Sequence, residues 1–252
     1  ADYSGYSVSL NSAGNRVAIG AYMNDGTVSH GGHVRIYEYS GSSWSQLGSD
    51  IDGEATSDES GWSVSLNSDG DRVAIGAWRN DGTGNAAGHV RIYEYSGGSW
   101  SQLGSDIDGE AADDRSGVSV SINSAGNRVA IGAHYNDGTD TDAGHVRIYE
   151  YSNSSWSQLG SDIDGEATND NSGHSVSLNS DGDRVAIGAP YNDGTDSNAG
   201  HVRIYEYSGG SWSQLGSDID GEAANDESGY SVSLNSDGDR VAIGADGNDG
   251  TA

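Results

Sequence analysis

This 252-residue chain has no cysteine and no phenylalanine, and only one proline. Lysine is absent too, so every strong base is an arginine. The missing cysteine excludes disulfides and thiolate metal sites. No run approaches the roughly 18 apolar residues of a membrane-crossing helix, and no stretch carries helical apolar periodicity. Eleven basic residues stand against 39 carboxylates, for a net charge of -28. A surface this acidic repels nucleic acid and anionic membranes and attracts cations. Hydrophobic residues make up only 33% of the chain. They fall in short β-type runs rather than being scattered, which argues for a folded chain over a disordered one.

What is present is a repeat. Ser4-Gly5, Ser60-Gly61, Ser116-Gly117, Ser172-Gly173 and Ser228-Gly229 each open a near-copy of one 56-residue unit. The chain reads as a single array over 1–252, with units at 4–59, 60–115, 116–171 and 172–227 and a partial unit at 228–252. A fixed period of this length marks a repeat architecture, and one such unit has too little core to fold alone.

Within the first unit, Ser7 to Leu10 alternates polar and apolar residues, which predicts a strand. Asn11 to Asn15 has the chemistry of a tight turn. Val17 to Ala21 reads as a second strand, and Asn24-Asp25-Gly26 opens a longer loop. His33 to Tyr39 reads as a third strand and Trp44 to Leu47 as a fourth, leaving Gly48 to Asp58 as an acidic linker. Four short antiparallel strands make a blade that must cover its faces against neighbouring blades. The expected fold is therefore all-β, with β-propeller-type blades in four and a half copies, as a ring or as part of an open or larger array. An open solenoid of the same blades is the main rival, and a parallel β-helix fits less well. In one alternative phasing, Ala1 to Tyr22 is the second half of a blade begun by a preceding repeat.

These units resemble FG-GAP repeats, the blades of the integrin α-subunit propeller and of many bacterial and algal surface proteins. The opening phrase appears in altered order as Gly5-Tyr6, Gly61-Trp62 and Gly229-Tyr230. The closing Gly-Ala-Pro phrase is intact once, at Gly188-Ala189-Pro190. The resemblance implies a propeller at the cell surface or outside the cell, with a structural, adhesive or self-assembly role. In this family the loop between the two phrases can hold calcium. Here that loop is only Asn-Ser-Asp-Gly-Asp (as at Asp69 and Asp71) or Asn-Ser-Ala-Gly-Asn, too short to wrap a hard cation, and it reads as a plain turn.

The linker offers a different candidate for calcium. Its Asp-x-Asp-Gly-Glu-x-x-x-Asp spacing places alternating oxygen ligands around a glycine bend. The sets are Asp50, Asp52, Glu54 and Asp58; Asp106, Asp108, Glu110 and Asp114; Asp162, Asp164, Glu166 and Asp170; and Asp218, Asp220, Glu222 and Asp226. The competing reading is turn capping and pairing with the recurrent arginines Arg16, Arg72, Arg128, Arg184 and Arg240, and Arg35, Arg91, Arg147 and Arg203. The histidines of the Gly-His-Val phrase (His33, His89, His145, His201) and the Trp44 series read as blade packing.

Copies differ after Gly-Ala, in the following loop and just before each Ser-Gly. Strand alternation puts all three places on the acidic face, where Tyr22, Trp78, Arg79, His134, Tyr135 and Tyr191 form a candidate ligand face for a glycan or a cell-surface protein. Other copies of the chain are further candidate partners. Near-identical blades, with no Asp, Glu, Ser or His breaking their symmetry, lead to the expectation of a protein that is not an enzyme. A carboxylate-dependent hydrolase is the minor alternative.

Overall fold

The computed structural model describes residues 1–250. It contains four five-stranded antiparallel sheets and a final two-stranded one, with no helix among the described residues. The first sheet comprises β1 (Ser7–Leu10), β2 (Arg16–Ala21), β3 (His33–Ser40), β4 (Ser43–Gln46) and β5 (Ile51–Asp52). Its order is β1-β2-β3-β4, with β5 also on β3. The same pattern recurs at 63–108, 119–164 and 175–220. The last sheet keeps only the inner pair, Ser228–Leu234 and Val241–Ala245.

The register fixes the phasing. Arg16 lies opposite Glu38 and Ala21 opposite His33, so β2 belongs to the same blade as the third strand that follows it. The alternative phasing, which begins a blade at the His-Val-Arg strand, is not the one adopted.

One segment departs from the linear reading. Ile51 and Asp52, expected in the linker, pair with Val34 and His33 and form the distal half of the outer strand. The outer strand is thus broken in two. Gly48, at φ 76°, carries the chain across the break, a backbone conformation that a side chain would strain. The reason lies in burial, because Ile51 is only 5% exposed and belongs to the core between blades.

That core lies between sheets. Ala18, Val34, Ile36 and Ile51 of the first blade meet Val64, Leu66, Val73 and Ile75 of the second, and equivalent clusters join the second to the third blade and the third to the fourth. Each buried aliphatic side chain contributes about 1.5–3 kcal/mol, and only a neighbour provides that burial. Val64 and Leu66 are 9% and 7% exposed, whereas Val8 and Leu10, their counterparts without a preceding blade, are 63% and 61% exposed. The sheets are further stitched at the turn after β1. There the Ser12 amide donates to the Ser68 carbonyl, and the relay continues through Ser124 and Ser180 to Ser236. This end of the stack is uniform from blade to blade, and it surrounds a small axial funnel of about 150 Å³ lined by the leucine, isoleucine and serine positions of all five copies.

Candidate functional site

The opposite end of the stack is where the copies differ. Three positions per repeat meet there: the residue before Ser-Gly, the residue after it, and the residue after Gly-Ala. The first is Tyr3, Glu59, Arg115, Asn171 and Glu227, all with positive φ between 50° and 57°. Non-glycine residues rarely hold this conformation, which costs about 1–3 kcal/mol and must be held by its surroundings. Here the hold is a pair of backbone bonds. The Glu59 amide donates to the His30 carbonyl, and the Trp62 amide donates to the Glu59 carbonyl. At this position the copies carry tyrosine, glutamate, arginine, asparagine and again glutamate.

Ring contacts then run across every blade. Tyr6 lies 4.7 Å from Tyr22 and 4.6 Å from Trp62, and Trp62 lies 4.6 Å from Trp78. The Arg115 guanidinium is held between Trp78 (4.6 Å) and Tyr135 (4.3 Å). Tyr135 meets His134 at 4.1 Å, His134 faces His174 at 5.9 Å, and His174 meets Tyr230 at 4.6 Å. Glu59, itself buried, accepts a hydrogen bond from Trp78 Nε1 (2.8 Å) and pairs with Arg79 Nη1 (3.3 Å).

Of the six residues expected on a ligand face, Tyr22, Trp78 and His134 are buried. Tyr135 and Tyr191 are half-buried, and Arg79 is accessible. Sequence reasoning did not select Tyr6, Trp62, His174, Tyr230, Glu59 or Arg115. Their signal was present, since they too stand at positions where the copies disagree.

Burial sets the chemistry of the histidines. It pushes His134 down to about 3, with His174 and Arg115 nearby acting in the same direction, and it lowers His174 as well. Both imidazoles are therefore neutral at pH 7, and the buried Nδ1 atom of each lacks a hydrogen-bond partner. Two unpartnered imidazole nitrogens thus lie at this end, with Arg115 near His134.

The linker carboxylates are distributed differently. Asp58, Asp114, Asp170 and Asp226 turn inward and accept the amides of Ala55, Ala111, Ala167 and Ala223 at 2.9–3.0 Å. Glu54, Glu110 and Glu166 reach the next blade and pair with Arg91, Arg147 and Arg203 at 3.1 Å. Those arginines also donate to the Asp52, Asp108 and Asp164 carbonyls. Asp106, Asp162 and Asp218 accept from Gln102, Gln158 and Gln214, and Asp50 accepts from Gln46 and Arg35. The four carboxylates of one linker therefore do not converge. The close acid–histidine groups are instead Glu54 with His89 and Asp106, and the equivalents Glu110, His145, Asp162 and Glu166, His201, Asp218. In each, an arginine already supplies positive charge to the glutamate. In the first blade His33 lies beside Asp50 and Asp52. The Arg16 series pairs within its own blade, as Arg16–Glu38 at 2.7 Å.

Comparison with known proteins adds three findings. Residues 50–93 match the FG-GAP repeat family. No curated protein matches the sequence. Among solved structures, the chain is similar to a Bacteroides uniformis protein provisionally assigned as a 6-phosphogluconolactonase, with 12% identity and a TM-score of 0.63 over 95% of this chain and 63% of the other. It is also similar to the periplasmic gluconolactonase of Pseudomonas aeruginosa, with 14% identity and a TM-score of 0.60 over 94% of this chain and 64% of the other. The chain spans less than two thirds of the length of these neighbours. At such identities the likeness concerns the fold, which is β-propeller-like.

The neighbours correct one expectation. Uniform blades do not by themselves speak against an enzyme, since both neighbours of this fold are named as lactonases. Blade symmetry is also incomplete, because Arg115, His134 and His174 break the repeat and lie together at one end. The 56-residue period carries the phrase matched at 50–93 through the other copies, so each copy is similar to the FG-GAP repeat matched there.

Proposed function

We propose that this chain is a ligand-binding propeller-type protein that works outside the cytoplasm, and that its variable axial end holds a saccharide. The observation that carries this reading is the gathering of nearly all non-repeating aromatic, histidine and arginine side chains at one end of an otherwise uniform stack. Aromatic faces pack against the C–H face of a sugar ring, and carboxylates, amides and arginine take its hydroxyls. Tyr6 and Tyr230 are 51% and 41% exposed at this end, so their rings are accessible to a ligand, while Tyr22 packs against Tyr6 and His174 against Tyr230. The rigid blades suit attachment or adhesion through that ligand. The acidic surface, the repeat family and the periplasmic neighbour support an extracellular or periplasmic setting. Binding to a panel of mono- and oligosaccharides, by calorimetry or on an array, tests the reading. Trp62→Ala and Tyr230→Ala are expected to weaken binding with the fold intact; a panel without any binder overturns it.

A second reading is favoured by the neutral His134–His174 pair, namely hydrolysis of a sugar lactone at the same end. An imidazole accepts a proton from water as the water attacks the lactone carbonyl, and returns it to the ring oxygen as the ring C–O bond breaks to give the hydroxy acid. Ring opening of a sugar lactone followed at constant pH, with His174→Gln as the comparison, decides it: an unaltered chain no faster than buffer alone, or a variant as fast as the unaltered chain, sinks it.

A further inference from the structure

The arginines of this chain obey the repeat with two exceptions. Nine of the eleven recur at fixed strand positions, and the two that do not are Arg79 and Arg115. Both lie at the variable end and both use the same indole. The Arg79 guanidinium lies 4.7 Å from the Trp78 ring and that of Arg115 lies 4.6 Å from it. The two border one pocket of about 270 Å³, shared with Asp81, Asn85 and Asp113.

Their surroundings separate them from the other arginines. Arg16, Arg72, Arg128 and Arg184 are each closed onto a glutamate at 2.7–2.8 Å. Arg91, Arg147 and Arg203 pair with the preceding linker's glutamate. Arg115 has no carboxylate within ion-pair distance among the described residues, as is also true of the exposed Arg240 of the last sheet, and its buried Nε, like those of Arg91 and Arg203, makes no hydrogen bond; unlike these three it lies between two rings of the variable end. Asp142 senses its charge without pairing to it. Stacking between Trp78 and Tyr135 holds the guanidinium plane in place, so little rotamer freedom remains to be lost when a ligand engages its free edge. Arg79 is half-exposed and holds Glu59 through Nη1 only. A chain of net charge -28 repels anions in general, and here two unrepeated cations share one indole, with Asp81 and Asp113 on the same pocket and Glu59 on Arg79.

We propose that Arg79 and Arg115 form an anion-recognition site that takes the acidic group, carboxylate or sulfate ester, of a charged saccharide. This rests on the saccharide-binding reading above and specifies its ligand class. The planar fork of arginine matches a two-oxygen anion. Asp81 and Asp113 on the same rim accept hydroxyl hydrogens from the rest of the sugar, which suits an anionic saccharide better than a bare inorganic anion. Asp81 already accepts the Ala86 amide at 2.8 Å, so one of its oxygens is fixed in place.

The test is calorimetric titration of the whole chain with three ligands of equal length: an oligogalacturonate, a sulfated galactan oligomer and a neutral galactan oligomer. At least one acidic ligand is expected to bind about ten- to a hundredfold more tightly than the neutral one, the worth of one charge-assisted contact. Added salt is expected to weaken that binding. Arg115→Gln is expected to remove the preference, while Arg115→Lys, which keeps the charge but loses the fork, retains part of it. Circular dichroism checks that each variant keeps its sheets, and Arg240→Gln serves as a variant outside the site. Preference for the carboxylate or for the sulfate identifies which acid the site takes. Equal binding of neutral and acidic ligands overturns the anion site and leaves the saccharide reading standing. Binding of none of them overturns both.

Discussion

Gly104 and Gly216 occupy the same place in the repeat, at φ 80° and 83°, yet their surroundings differ. A Cβ on Gly104 would meet Trp156 Cδ1 at 2.8 Å and its Nε1 at 3.2 Å, whereas a Cβ on Gly216 would meet nothing within 4 Å. The contrast arises because the partial last blade lacks the outer strands that would bring the next tryptophan. Trp156 cannot easily withdraw, since its Nε1 donates to the Leu103 carbonyl at 2.7 Å and its ring packs on the third blade's Tyr151 at 5.1 Å. Gly→Ala at either site introduces the left-handed backbone penalty of about 1–2 kcal/mol. Reduced freedom of the unfolded chain offsets about 0.4–1 kcal/mol of this. Only Gly104→Ala adds overpacking, about 1–3 kcal/mol. For a chain of this size 1 kcal/mol moves the melting temperature by about 2–4 °C, so Gly104→Ala is expected to melt roughly 2–12 °C below Gly216→Ala. Thermal unfolding followed by circular dichroism measures both. Because a terminal blade can loosen on its own, the same substitutions are also made in a Trp156→Ala background. There the excess cost of Gly104→Ala is expected to vanish, as a double-mutant cycle would register. Equal melting temperatures for the two glycine variants, or no coupling to Trp156, would refute the view that blade-to-blade contact at this tryptophan shapes the outer strand.

Two further predictions concern buried polar groups. Asp114 is buried and accepts hydrogen bonds from the Ala111 amide and from Asn136 Nδ2, both at 3.0 Å. Asp114→Ala leaves two donors unpaired and is expected to cost about 2–5 kcal/mol in urea denaturation; a loss under about 0.5 kcal/mol would sink this capping role. Acid should destabilise the fold even before the carboxylates titrate. Burial holds His134 at about 3 and His145 at about 4, below the ordinary 6.5. The unfolded chain therefore binds protons below pH 6.5 that the folded chain refuses until those lower values. Stability is full above about 6.5 and falls as pH drops, by up to about 1.4 kcal/mol per pH unit for each histidine. Urea midpoints between pH about 6.5 and about 5 should fall, and His134→Gln should flatten the slope; midpoints constant or rising toward acid would contradict it.

Much of the blade is legible in the chain itself. The period and the alternation of Ser7 to Leu10 and of His33 to Tyr39 predict strands that the fold contains, because a half-buried strand must place apolar side chains on every second residue. The tight turn at Asn11 to Asn15 is equally local. Asn11 Oδ1 accepts the Asn15 and Arg16 amides at 3.0 and 2.9 Å, all within one hairpin. Ile51-Asp52 was not legible as a strand. Two residues carry no period, and their pairing depends on the blade-to-blade core that buries Ile51.

The candidate site divides along the same line. Sequence marks where copies disagree, and so it singles out Tyr22, Trp78, Arg79, His134, Tyr135 and Tyr191 as candidates. It does not say that Arg115 slides between Trp78 and Tyr135, or that His134 faces His174, because those partners lie in different repeats and meet only when the blades pack. Nor does it say which carboxylate takes which arginine: Glu54 pairs with Arg91 across a blade boundary, whereas Arg16 pairs with Glu38 inside one. By itself the sequence determined the unit, its strands and its turns, which follow from local periodicity and backbone preference. Tertiary structure alone decided which faces are covered and which unlike side chains share one surface, since both depend on stacking units that are far apart in the chain.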